Sequence, residues 1–145
     1  MKNLLGVLTT FWLLVASICA EPTNNGMTEF YEVKPIGWVR KTDNRTTIEV
    51  DKQYQSALLG VEELDAIWVL YWFDRNDTPE RRAILQVHPR GNPENPLRGV
   101  FATRAPVRPN LIALSRCRVI SVLDNVIEID AIDAFPDTPV LDIKP

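Results

Sequence analysis

From Val33 onward, short runs of alternating apolar and polar residues are separated by clusters of turn-forming residues, the period-two pattern of β-strands. Val33 to Lys41 and Thr46 to Asp51 are rich in strand-forming residues, and Thr42-Asp43-Asn44-Arg45 between them reads as a hairpin turn. Tyr54 to Glu63 carries helix-favouring residues with a stop at Gly60, which predicts one short helix or helical turn. Leu64 to Phe73, LDAIWVLYWF, is almost continuously apolar and predicts a central strand buried on both faces. Asp74 to Pro79 ends it in a turn. Arg82 to His88 predicts another strand, with Ala83, Leu85 and Val87 on one face. Leu111 to Leu123 predicts a long strand, Asp124-Asn125 a turn back into Val126 to Asp130, and Pro136 to Ile143 a last extended piece. Many short strands with little helix indicate a small antiparallel barrel or sandwich.

One stretch does not follow this pattern. His88 to Ser115 holds five of the eleven prolines and two glycines, a density at which neither helical nor strand periodicity survives. Between His88 and Arg118 there are six arginines and a single acid, Glu94, for a local charge of +5. Residues 21–89 carry −4 and residues 119–145 carry −5, so the cationic stretch stands between acidic flanks in a chain of net charge −3. One reading is that the arginines neutralise those flanks as surface ion pairs, which contribute little to stability. The other accounts for the prolines as well: a rigid, irregular, cationic wall built to hold an anionic ligand.

The N-terminus has the layout of a secretory leader. A positive Met1-Lys2-Asn3 precedes the uncharged apolar run Leu4 to Ala20, which ends in small residues. Cleavage near Ala20 is expected, and with it an exported or periplasmic protein. An uncleaved membrane anchor and lipidation of Cys19 are the alternatives, and the location is cytoplasmic if the segment is not a signal. Residues 21–32 read as a tether and 33–145 as the domain. After cleavage Cys117 is the only cysteine, so no internal disulfide forms; its place in an apolar run makes it a small core residue.

Several chemistries find no support. His88 is the only histidine and sits beside Pro89, where an orienting or structural role fits better than catalysis. One histidine and one cysteine do not make a zinc site. The spacing of Asp130, Asp133 and Asp137 is not that of a calcium loop. Gly91 and Gly99 are isolated turn glycines rather than a phosphate-cradling loop.

A resemblance adds what spacing does not give. Gly99 to Asn110, GVFATRAPVRPN, closely resembles the signature GVFATRSPxRPNPIG of the TsaA-like, TrmO-type proteins. Ile36-Gly37-Trp38-Val39-Arg40 is similar to the family's opening strand, Leu64 to Phe73 to its Trp-rich strand, and Thr138 to Pro145 to its closing GTPVLDIKPY. The likeness covers residues 33–145. It implies a mainly all-β fold, a small antiparallel β-barrel of about six to seven strands with one short helix and a long Pro/Arg-rich loop. It also implies S-adenosylmethionine as cofactor, a homodimer, and N6-methylation of a threonylcarbamoyl-adenosine in tRNA. Carried over by position, the cofactor-binding candidates are Asp74, Arg75, Phe101, Arg104, Arg108, Asn110, Ala113, Asp130 and Asp133; no catalytic residue and no metal ligand is assigned.

The chain departs from the family pattern at named places. Ala105 replaces a common Ser, Leu111 a Pro and Ala113 a Gly. Asp74 stands where many members have His, Thr42 to Arg45 is shorter than the cofactor loop of longer members, and Pro136-Asp137 replaces an Asp-Gly turn. Two functions follow: a S-adenosylmethionine-dependent methyltransferase with an open choice of acceptor, or an exported, non-enzymatic binding module for a small anion or a partner. An adenosine-sized cleft lined by residues 100–110 favours the first, and a closed, ion-paired surface there the second.

Overall fold

A computed structural model describes residues 31–145. The leader, nearly all of the tether and Cys19 lie outside the described residues. The strands in chain order are β1 (Gly37–Lys41), β2 (Thr46–Val50), β3 (Ala66–Trp72), β4 (Gln86–Val87), β5 (Arg98–Gly99), β6 (Ile112–Leu123), β7 (Val126–Ile129) and β8 (Pro139–Lys144). Six of them close an antiparallel barrel in the order β1-β2-β7-β6-β3-β8, and β4 pairs with β5 outside it.

The alternation in the sequence becomes the inside and outside of the barrel. Val39, Ile48, Val50, Ile67, Val69, Cys117, Ile127, Ile129 and Val140 point inward and are fully or almost fully buried. Burying one aliphatic side chain of this kind stabilises the fold by about 1.5–3 kcal/mol. Closure depends on β6, which pairs with β3 through Arg118 and with β7 from Val119. A register shift between Val119 and Ser121 bends the strand there, as a bulge does at a barrel corner. Gly37 lies at the seam where β1 meets β2, facing Val50.

Three local expectations are corrected. β3 is not buried on both faces: Ile67, Val69 and Tyr71 are buried, while Ala66, Trp68, Leu70 and Trp72 are half-buried on the outside. A barrel has a single interior, and the outer apolar residues form a surface stripe. Tyr54 to Glu63 is helical, but as two 3-10 segments rather than one, Lys52–Leu58 and Val61–Glu63, separated by Gly60 at φ 88°. Only Gln86–Val87 of the expected strand from Arg82 to His88 is strand. The preceding residues form α1 (Pro79–Arg82), started by Thr78, whose hydroxyl accepts from the Arg81 amide, and by Pro79 in the first turn.

Candidate functional site

The site is built where the proline segment meets one rim of the barrel. β3 leads directly into a 3-10 turn, Asp74–Asn76. That turn is pinned from several sides: the Phe73 amide donates to the Leu111 carbonyl (2.8 Å), the Asn76 amide to Phe73 (2.8 Å), and the Arg81 guanidinium to the Asn76 side chain (2.9 Å). Asp77 accepts from Arg82 and from the Trp72 indole, and these bonds hold its carboxyl below the usual range. Across from this turn runs the segment that enters β8. The Tyr71 hydroxyl, inside the barrel, donates to the Asp133 carbonyl at 2.5 Å and lies 3.2 Å from the Ser115 hydroxyl. Burial raises the Tyr71 pKa, so at neutral pH it stays a neutral donor.

Between these walls lies a cleft of about 170 Å³ that includes Asp74, Arg75, Arg104, Asp133, Phe135 and Thr138. Arg75 reaches across it to stack on the Phe135 ring, 3.9 Å from the centroid. A larger cleft, about 750 Å³, opens between residues 87–93 and 102–107. It shares Arg104 and Pro106 with the smaller one, and adds His88 and Arg90 to a mostly apolar lining that contains no acid. Arg90 sits at φ 60°, a left-handed conformation uncommon outside glycine, directly before Gly91 at φ 66°. Among the described residues neither Arg90 nor Arg104 has a carboxylate within ion-pairing distance. The surface is open and cationic, not closed by ion pairs.

Four of the sequence candidates, Asp74, Arg75, Arg104 and Asp133, therefore meet at one cleft although they come from three separate segments. The other five are placed elsewhere. Arg108 is consumed by its own loop: one guanidinium nitrogen donates to the Val100 and Thr103 carbonyls, each at 2.9 Å, and its Nε is buried without a partner. Asn110 is exposed and lines neither cleft. Ala113 faces the barrel interior opposite Tyr71 in the β3–β6 ladder. Asp130 closes the end of β7, accepting the amides of Arg118 and Ala131, both at 2.8 Å. Those amide bonds, that of Arg118 first, lower its pKa. Phe101 is 83% exposed at a loop turn outside both clefts.

Tyr71, Phe135 and Thr138 are cleft residues that sequence reading missed. Tyr71 was hidden in an apolar run. Phe135, an aromatic among Asp, Ala and Pro, carried the one available signal. The His88 Nδ1 donates to the Asn95 carbonyl at 2.7 Å, a bond within the proline segment itself. Among the described residues no three His, Cys, Asp or Glu side chains are grouped to hold a metal ion.

Comparison with known proteins places this geometry. The family model for the tRNA-methyltransferase O N-terminal domain matches residues 31–145. The chain belongs to that family. A probable S-adenosyl-L-methionine-binding protein of Methanocaldococcus jannaschii is 47% identical over 79% of this chain and 90% of its own. A tRNA (adenine(37)-N6)-methyltransferase of Rattus norvegicus is 31% identical over 88% of this chain but only 33% of its own. The crystal structure of TrmO from Pseudomonas aeruginosa matches with a TM-score of 0.61 at 28% identity, over 81% of this chain and 56% of that one. The chain thus spans most of the archaeal relative, about half of the solved bacterial protein and a third of the rat enzyme. The barrel expected from the sequence is the family's fold.

Proposed function

We propose that this domain is a S-adenosylmethionine-dependent methyltransferase of the family's type, with the cofactor in the smaller cleft and the methyl acceptor in the larger. The observation that carries this reading is the convergence of Asp74, Arg75, Arg104 and Asp133 on a cleft contiguous with a second, cationic one. The residues suit the chemistry of the cofactor, which bears a carboxylate, an ammonium, a sulfonium and a flat adenine. Arg104 has its guanidinium free for the carboxylate. Asp74 and Asp133 supply charge opposite to the two cations, and Phe135 and Pro106 supply apolar surface. A cleft of about 170 Å³ is smaller than the roughly 300–1,000 Å³ of small-molecule sites, so the ligand extends past Arg104 into the larger space.

Bound there, the cofactor supplies an electrophilic methyl group, and the protein's task is chiefly alignment. Arg104 orients, the Tyr71 hydroxyl fixes the backbone of Asp133, and the proline segment forms a wall that needs no strand ladder. Asp74 and Asp133 are the cleft carboxylates able to receive, at their Oδ atoms, the proton that an accepting nitrogen loses. The acid-free lining of the larger cleft suits an anionic acceptor, and an adenine in RNA, as the rat enzyme's name states for that protein, is the acceptor we propose. The open clefts and unpaired arginines favour this reading over the exported binding module.

A homodimer is part of the proposal, supported by an outer apolar stripe on β3 and β6 that includes Trp68, Leu70, Ile112 and Leu114, the last two 38% and 46% exposed. Compartment is a separate proposal: export through residues 1–20, supported by their leader-like pattern. An intact mass of the expressed protein starting near Glu21 supports it, and retention of Met1 to Ala20 in the soluble cytoplasmic fraction overturns it.

The deciding experiment is a calorimetric titration of S-adenosylmethionine into the full chain and into Arg104→Ala. Micromolar binding, about −8 kcal/mol, weakened at least about tenfold in the variant, is the expected result. A folded protein that takes up no cofactor at millimolar concentration overturns the reading.

A further inference from the structure

The Arg75–Phe135 contact is out of keeping with its surroundings. Arg75 follows Asp74 in the chain and shares its cleft with Asp133, yet its guanidinium pairs with neither carboxylate; it lies 3.9 Å over the Phe135 ring. Both side chains stand on pinned backbone. The Arg75 turn is held by the Asn76 and Arg81 bonds given above. On the other side, the Thr138 amide donates to the Phe135 carbonyl at 3.3 Å and the Asp137 amide to Val39 at 2.8 Å. Asp137 is at φ 63° with its carboxylate paired to Arg40, which also holds Glu49 at 2.9 Å. The contact can therefore open by side-chain rotation alone, with the ring staying in the cleft wall.

An aromatic face with carboxylates in the same cleft is a site for a cation that lacks N–H donors, because the ring's negative face attracts charge without requiring a hydrogen bond. A guanidinium satisfies such a face only in part, since its five N–H groups still want acceptors. We infer that Phe135, in the cleft it shares with Asp74 and Asp133, is the specificity-determining face for a sulfonium, and that Arg75 occupies this face until the ligand's cation displaces it. The inference rests on the cofactor reading above and sharpens it: Phe135 reads the charge on sulfur, while Arg104 reads the carboxylate.

The test compares two ligands that share carboxylate, ammonium and adenine and differ at sulfur. S-adenosylmethionine carries the sulfonium, and S-adenosylhomocysteine a neutral thioether. Each is titrated calorimetrically into the full chain, Phe135→Leu, Phe135→Tyr and Arg75→Gln. Phe135→Leu is expected to weaken S-adenosylmethionine by about three- to tenfold while leaving S-adenosylhomocysteine within about twofold. Phe135→Tyr keeps the aromatic face and restores the preference, and Arg75→Gln, which removes the competing cation, increases it. If both ligands bind the unaltered protein but weaken in parallel, or keep one ratio across the variants, this inference falls and the cofactor reading stands. If the unaltered protein binds neither ligand, both fall.

Discussion

In the barrel each of the six strands pairs on both edges, and the interior is filled by aliphatic side chains from every strand. In residues 88–111, only Arg98–Gly99 joins a ladder, and that ladder is two residues long. The segment is held instead by side chains reaching to backbone. Arg108 takes the Val100 and Thr103 carbonyls, Arg82 takes the Pro109 carbonyl at 2.9 Å, and the Asn95 amide takes that of Pro89 at 2.8 Å. Prolines contribute by removing amide donors that would otherwise need partners and by fixing φ. A backbone built this way leaves Arg90 and Arg104 free to face the clefts, whereas a strand of the barrel commits every second side chain to the core.

The sharpest way to break the comparison is to add one methyl group to each region. A Cβ at Gly37 would sit 2.4 Å from the Glu49 carbonyl oxygen and 2.8 Å from the Val50 Cα, both backbone atoms at the barrel seam. Gly37→Ala is expected to cost about 2–3 kcal/mol of unfolding free energy, because strands β1 and β2 must separate locally. At Gly99 the nearest atom, the Leu85 carbonyl oxygen, is 4.0 Å away and φ is −62°. Gly99→Ala should lie within about 0.5 kcal/mol of the parent, on the stabilising side if anything. Denaturant unfolding of the two variants measures both. Equal losses would mean that the segment is as tightly specified as the barrel.

The same contrast decides what was legible in the sequence. The hairpins β1–β2 and β6–β7 announced themselves through alternation and turn residues, because a half-buried strand writes its burial into every second position. In the sequence β3 has the pattern of a doubly buried strand because its outer Trp68, Leu70 and Trp72 are apolar as well. Ala83, Leu85 and Val87 alternate by coincidence, and the Thr78-Pro79-Glu80 helix start was the stronger signal. At the site, the motif located Arg104 and Arg108 equally well but carried no information on side-chain direction. One faces the clefts, and the other turns back onto its own loop. Phe135 and Arg75 are sixty residues apart, and only the closed barrel brings them together.

A second difference concerns pH. The Cys117 thiol lies in the barrel interior, where burial, with a smaller contribution from the Asp130 charge, pushes its pKa from 9.0 up to about 11. A thiol whose folded pKa is raised contributes stability that is complete below pH 9 and is lost as pH rises to about 11, because the unfolded chain ionises first. The loss amounts to about 2 kcal/mol at the upper end. Tyr71, also raised by burial, acts in the same direction. Unfolding measured from pH 8 to about 11 should show a declining stability that becomes shallower in Cys117→Ala. An unchanged slope would remove the buried thiol as its source.

A smaller loss of global stability than those at Gly37 and Cys117 is expected from the change that tests whether the two regions unfold separately. Arg108→Ala removes the donors to the Val100 and Thr103 carbonyls but leaves Thr103 Oγ1 bonded to the Val100 carbonyl at 3.1 Å and the Ala105 amide bonded to Thr103 Oγ1 at 3.2 Å. Hydrogen bonds to a charged donor contribute about 1.5–3 kcal/mol, but here the loss falls on a segment that the barrel ladder does not include. Local opening should therefore become easier while the barrel keeps most of its stability. The expected result is faster amide hydrogen exchange confined to residues 100–107, with the denaturation midpoint displaced by no more than about 1 kcal/mol equivalent. Weaker S-adenosylmethionine binding should accompany it, since Arg104 stands on the loosened loop. If exchange instead rises throughout β3 and β6, the Arg108 clamp belongs to the barrel's own cooperative unit, and the cleft wall is as rigid as the strands behind it.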